Sequence, residues 1–116
     1  SCHDLIEGGL AVAAAEMAIA SGLGLELDLD RLAVSESGLS DAARLFAETP
    51  TRFLIEVAEE EGAAFEVVLR RLPHARIGRV LAERRLQVRS AGRPLLERDV
   101  EGLRAIWQAP LAEARA

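Results

Sequence analysis

The sequence predicts an α+β domain, a mixed sheet with helices packed on it. Three observations predict that class. Segments of apolar–polar alternation interleave with segments of helical composition, no stretch repeats or falls into low complexity, and half of the 116 residues are hydrophobic. Length and composition together imply one domain, residues 1–116, with a modest core and no internal linker. Aromatic residues make up only 3% of the chain, so Leu, Val, Ile and Ala must fill that core.

Residues 1–7 read as a short strand or extended lead-in. After Gly8-Gly9, Leu10 to Ile19 have helix-forming composition with apolar side chains on nearly every face, the mark of a buried rather than an amphipathic helix. Ser21-Gly22 and Gly24 supply its stop. Leu25-Glu26-Leu27-Asp28-Leu29-Asp30 alternates strictly, as a half-buried strand does. Arg31 to Gly38 is loop-like, with Ser35, Ser37 and Gly38 as turn formers. Ser40-Asp41 marks the N-cap of a short helix running to about Glu48 and ended by Pro50.

From Arg52 to Val57 a second strand alternates Phe53, Ile55 and Val57 against Arg52, Leu54 and Glu56. Glu59-Glu60-Glu61 places negative charge at a helix start and reads as a solvated face. That helix continues through Phe65, Val68, Leu69 and Leu72, with Arg70-Arg71 near its opposite pole. Pro73-His74 breaks it, leaving His74 exposed. Arg76 to Leu81 and Arg85 to Arg89 read as a strand pair joined by a short turn at Ala82 to Arg84. A weaker strand follows Gly92 and Pro94. Asp99 then caps a closing helix to Trp107, anchored by burial of the indole.

Charge and composition exclude several functions. A formal net charge of −5 argues against a dedicated nucleic-acid or anionic-membrane surface. All fourteen basic residues are arginine, which removes P-loop, Schiff-base and lysine-adenylate chemistry from this segment. The single cysteine, Cys2, rules out an internal disulfide, suits a cytoplasmic protein, and reads as a small buried thiol. No apolar run reaches transmembrane length, and no basic region precedes an apolar stretch as in a signal peptide. The chain begins directly on its principal motif without an initiator methionine, as a fragment or excised domain of a longer protein would.

That motif is His3-Asp4-Leu5-Ile6-Glu7-Gly8-Gly9-Leu10, running into Ala11-Val12-Ala13-Ala14-Ala15-Glu16-Met17-Ala18. Paired glycines before a helix let the backbone approach a bound group, and the helix start offers unpaired N–H donors with a partial positive charge, a natural site for an anion. The competing reading is a tight turn that permits close helix packing, and the residues alone leave both open. His3 and Asp4 are adjacent in an extended segment, so their side chains point to opposite faces, which weakens a metal site built from Cys2, His3 and Asp4 together. Either side chain is placed to hydrogen-bond and orient the glycine loop. A Mg²⁺ contact from Asp4 is compatible with the ion's habit of taking one or two carboxylates plus phosphate oxygens. Glu48 and Arg52 either pair across the Pro50 turn or face a substrate cleft.

The order H-D-x-x-E-G-G-L-A-V-A-x-A-E-M resembles the start of the C-terminal-type domain in the phosphoribosylformylglycinamidine synthase family, in its synthetase subunits. Leu45-Phe46-Ala47-Glu48-Thr49-Pro50-Thr51-Arg52-Phe53 and the closing Leu103-x-x-x-Trp107 are similar to the same family, so the resemblance spans the chain. The wider superfamily of aminoimidazole ribonucleotide synthetase, selenophosphate synthetase, thiamine-monophosphate kinase and a hydrogenase maturation factor shares a shorter glycine motif. The resemblance implies an aminoimidazole ribonucleotide synthetase C-terminal-like fold. It further implies an ATP-dependent ligase that converts formylglycinamide ribonucleotide and glutamine-derived ammonia to formylglycinamidine ribonucleotide, ADP and phosphate in purine biosynthesis. ATP and Mg²⁺ would be bound mainly by the rest of the parent chain.

The implied partners are a preceding nucleotide-binding domain, a glutaminase domain or subunit, and the small-molecule substrate. This domain would wall the cleft, hold a phosphate group through the backbone of Ile6, Gly8 and Gly9, and be inactive alone. Ile6 and Ala47 stand where the family carries serine, so any role resting on those hydroxyls is lost while backbone contacts survive. The alternatives are a domain of a sibling ATP-using synthetase or kinase, and a non-catalytic structural copy, which the losses at Ile6 and Ala47 favour.

Overall fold

A computed structural model describes residues 1–33 and 38–114. In chain order they form β1 (Cys2–Asp4), α1 (Gly9–Ser21), β2 (Gly24–Asp28), a 3₁₀ turn (Leu29–Arg31), α2 (Asp41–Phe46), β3 (Phe53–Ile55), a second 3₁₀ turn (Glu59–Glu61), α3 (Gly62–Val68), β4 (Gly78–Leu81), β5 (Arg85–Ser90), β6 (Arg93–Asp99) and α4 (Val100–Ala114). The class is the α+β arrangement expected, with a four-stranded mixed sheet ordered β4-β2-β5-β6 and a separate antiparallel ribbon of β1 and β3. The expected turn formers Ser35 and Ser37 lie outside the described residues. Among the described residues no helix is long and apolar enough to cross a membrane.

Helix α1 is the spine. Leu10, Ala13, Ala14 and Ala18 are buried with Leu25 and Leu27 of β2, Leu86 and Val88 of β5, and Leu29, Leu45 and Val100. Gly22 ends the helix in the left-handed region, its N–H bonded to the Ala18 carbonyl. The strict alternation around Leu25 and Leu27 holds as far as Asp28; Asp28 then accepts from the Asp30 N–H and turns the chain, so Leu29 enters the core from a 3₁₀ turn rather than a strand. Ser40 caps α2 by accepting from the Ala43 N–H at 3.1 Å, and Asp99 accepts from the Gly102 N–H at 2.8 Å at the start of α4.

Several expectations are corrected. Segments β4 and β5 are not a hairpin: β2 lies between them, antiparallel to β4 and parallel to β5. The short 82–84 connection therefore steps across the end of β2 at Gly24, where any Cβ would collide with the Glu83 carbonyl. Strand β6, expected to be weak, is seven residues long and pairs along β5 from Arg85↔Asp99 to Ser90↔Arg93. On β3 it is Leu54 that packs against the core, leaving Phe53 and Ile55 exposed. Helix α3 ends at Val68 and buries none of its residues. Helix α4 continues to Ala114, and Trp107 is 57% exposed: Val100 and Leu103 reach the core, whereas Ile106, Trp107 and Leu111 do not. Cys2 is exposed as well, on the outer face of the β1–β3 ribbon.

Candidate functional site

The loop between β1 and α1 carries two consecutive left-handed residues, Gly8 at φ 77° and Gly9 at φ 68°. Only glycine adopts that pair without strain, and both positions are also closed to a side chain. A Cβ on Gly8 would strike Val12, and one on Gly9 would lie 2.8–2.9 Å from the backbone of Leu45, Phe46 and Ala47. The glycine pair thus serves the close packing of α1 on the end of α2. It also leaves the α1 N-terminus with no side-chain cap from Gly8 and no acidic residue in its first turn. The close-packing reading of the glycine pair is the one observed.

The side chain that reaches the loop is Glu48, whose Oε1 accepts the Gly8 N–H at 2.8 Å. The expected pairing across the Pro50 turn is not formed: Glu48 is tied to the glycine loop, and among the described residues no ion pair joins it to Arg52. Arg52 contributes through its backbone, its carbonyl accepting the Leu5 N–H at 3.1 Å. The sequence carries no local signal for a bond spanning forty residues.

His3 and Asp4 sit beside the loop instead of bonding to it. The His3 ring lies between two acceptors, with Nε2 2.5 Å from Glu16 Oε2 and Nδ1 2.6 Å from the Asp4 carbonyl. Neither acceptor has a proton to donate, so the doubly protonated imidazolium satisfies both contacts. The Glu16 hydrogen bond, then the Asp4 carbonyl, raise the His3 pKa above its ordinary value, and burial offsets them in part. Glu16 of α1 lies opposite His3 and belongs to this cluster. In the β1–β3 ribbon the partly buried His3 pairs with Leu54 and the exposed Asp4 with Phe53.

His3, Asp4, Ile6, Glu7 and Glu16 line an open cleft of about 330 Å³. Three carboxylates against one imidazolium make its wall acidic, so an anion there would be received by backbone amides and not by side chains. Among the described residues no group of three or more His, Cys, Asp or Glu is disposed to hold a metal ion. Asp4 offers a single exposed carboxylate, which fits a shared Mg²⁺ contact and not a self-contained metal site. Ile6 in the loop, Phe46 at the end of α2, and Phe53 and Ile55 on β3 are exposed apolar side chains. His74 is exposed, its ring nitrogen 2.8 Å from the Leu72 carbonyl, and Glu59 to Glu61 are exposed too.

Residues 1–91 match the family model described as AIR synthase related protein, C-terminal domain. The chain is 42% identical over 108 residues to the phosphoribosylformylglycinamidine synthase subunit PurL of Limosilactobacillus reuteri, covering 93% of this chain and 13% of that protein. It is 34% identical over 112 residues to the subunit of the same name from Deinococcus radiodurans, covering 96% and 14% respectively. The solved structure of Thermotoga maritima PurL complexed with ATP superposes with a TM-score of 0.80 over 89% of this chain and 18% of that one, at 22% identity, a likeness of fold. The chain thus spans only 13–14% of the length of these curated relatives.

Proposed function

Because this chain belongs to the family of AIR synthase related proteins, C-terminal domain, we propose that it is the cleft-walling domain of an ATP-dependent ligase that makes formylglycinamidine ribonucleotide in purine biosynthesis. Residues 1–116 are one domain of a longer cytoplasmic chain. The family match ends at residue 91, but β6 is hydrogen-bonded into the sheet and Arg104 of α4 donates to the Ile19 carbonyl at 2.7 Å, which supports a single unit.

The observation that carries the reading is the α1 N-terminus. A thirteen-residue helix starts on a glycine turn with no side-chain cap from Gly8, its first residues Gly9 and Leu10 buried and the preceding Ile6 exposed. Amides so placed stabilise a phosphate group through hydrogen bonds and the helix dipole. The exposed Ile6, Phe46, Phe53 and Ile55 supply packing area for the preceding nucleotide-binding domain, which completes the cleft. Thermotoga maritima PurL has been solved with ATP and with FGAR, which supports ATP and formylglycinamide ribonucleotide as ligands of the whole protein. It has also been solved as PurLQS, which supports assembly with further subunits; a glutaminase is the partner the ammonia chemistry calls for. Mg²⁺ would be held mainly by the rest of the parent chain, with Asp4 the residue here able to touch it. When bound, ATP activates the formyl-derived amide oxygen that ammonia displaces; this domain positions phosphate and excludes water.

A second reading, a structural copy without a catalytic share, is favoured by the acidic cleft wall and by Ile6, which has no hydroxyl to offer. A third reading, a sibling synthetase or kinase, differs only in the acceptor. Ammonia-dependent ADP release by the complete chain tests all three. Turnover that requires formylglycinamide ribonucleotide and falls when Gly9 is replaced supports the ligase. Turnover that survives the replacement points to a structural copy, and turnover with another acceptor points to a sibling.

A further inference from the structure

We propose that Glu48 is the positioning residue of the Gly8–Gly9 loop; the inference rests on the ligase reading above. Three ties converge on the loop from the same segment. The backbone of Leu45 to Ala47 lies against Gly9, closely enough that a Cβ there would sit 2.8–2.9 Å from it. The Arg52 carbonyl accepts the Leu5 N–H at 3.1 Å on the loop's other side. Glu48 lies between these fastenings, and its carboxylate accepts the Gly8 N–H at 2.8 Å. It thereby fixes the N–H of Gly8, the residue before α1, while the first-turn amides of the helix keep no side-chain cap from Gly8.

Two consequences follow. The Gly8 amide is occupied, so the donors presented to a phosphate group begin at Gly9. The orientation of those donors is fixed by an acceptor atom at position 48, and a neutral acceptor of the same shape serves as well as a charged one. Glu48 acts through the loop and touches no reacting atom.

The test compares Glu48→Ala with Glu48→Gln in the complete chain, assayed by ammonia-dependent ADP release with formylglycinamide ribonucleotide and ATP. Glu48→Ala should raise the KM of a phosphate-bearing ligand about tenfold or more, with a smaller change in kcat, since small displacements of positioning groups are costly. Glu48→Gln, which keeps an amide oxygen at the Oε1 position, should remain within about threefold of the parent. Hydrogen–deuterium exchange of the peptide covering residues 5–12 should accelerate in the alanine variant alone. An alanine variant with a lowered Tm and unchanged KM overturns the proposal, and so does a glutamine variant as impaired as the alanine one. A parent chain with no turnover on this acceptor refutes the ligase reading instead, and the exchange comparison then decides whether Glu48 sets the loop.

Discussion

Helices α1 and α3 were both legible as helices, yet one organises the domain and the other barely touches it. Five residues of α1 are buried, among them Leu10, Ala13, Ala14 and Ala18, and it lies against β1, β2, β3, β5, α2 and α4. None of the seven residues of α3 is buried, and Val67 and Val68 face solvent. The difference follows from side-chain size and spacing. Alanines let α1 approach the sheet closely, so its few large side chains reach the core. Helix α3 is only seven residues long, with Phe65, Val67 and Val68 as its large apolar side chains, a length at which an isolated helix is marginal. Composition identifies a helix; whether that helix becomes a scaffold depends on partners far along the chain.

The comparison breaks most sharply at one leucine and one valine. Leu10 is 1% exposed, and Leu10→Ala should cost about 2–5 kcal/mol through lost burial and the cavity left behind. Val68 is 78% exposed, and Val68→Ala should stay within about 0.5 kcal/mol of the parent. Urea titration of the two variants measures both. Equal losses would mean that α3 is packed in solution and that the contrast is unreal.

Glycines sharpen the contrast at a smaller scale. Gly9 is left-handed and pressed against the backbone of α2, so Gly9→Ala should destabilise by about 2 kcal/mol or more. Gly62, at the start of α3, has right-handed helical geometry and open space around its Cβ position. Gly62→Ala should stabilise by about 0.4–1 kcal/mol, because alanine restricts the unfolded chain and fits the native conformation. Thermal unfolding of the pair should move in opposite directions.

What was legible follows the same division between local and distant causes. The caps at Ser40 and Asp99 and the stop at Gly22 are set by a few neighbouring residues, and each is found where its sequence places it. The β4–β5 hairpin failed as a reading because adjacency in sequence does not reveal that β2 intervenes. Trp107 was expected inside on account of its size, but on α4 it is Val100 and Leu103 that reach the core. At the site, the glycine pair was visible in the sequence as a demand for unusual backbone. Its partner Glu48 was visible only as part of a resemblance, since the bond to Gly8 depends on how α2 docks.

The smallest effect concerns His3, one of the ties that α1 has and α3 lacks. Its imidazolium joins β1 to Glu16 of α1, and the folded-state pKa is raised above the ordinary 6.5 chiefly by that hydrogen bond. A raised pKa means that the folded state binds the proton more tightly than the unfolded chain. The pair's contribution is therefore complete below the unfolded value and is lost as pH rises through the folded one. With side chains 28% and 41% exposed, solvent screening keeps that contribution small. The parent Tm should decline relative to His3→Gln between about pH 6 and about pH 9, because glutamine cannot titrate in that range. Subtracting the two profiles cancels every other titrating group. A difference that grows with pH would mean that His3 is neutral in the folded state, and β1 would then be held by the ribbon with β3 alone.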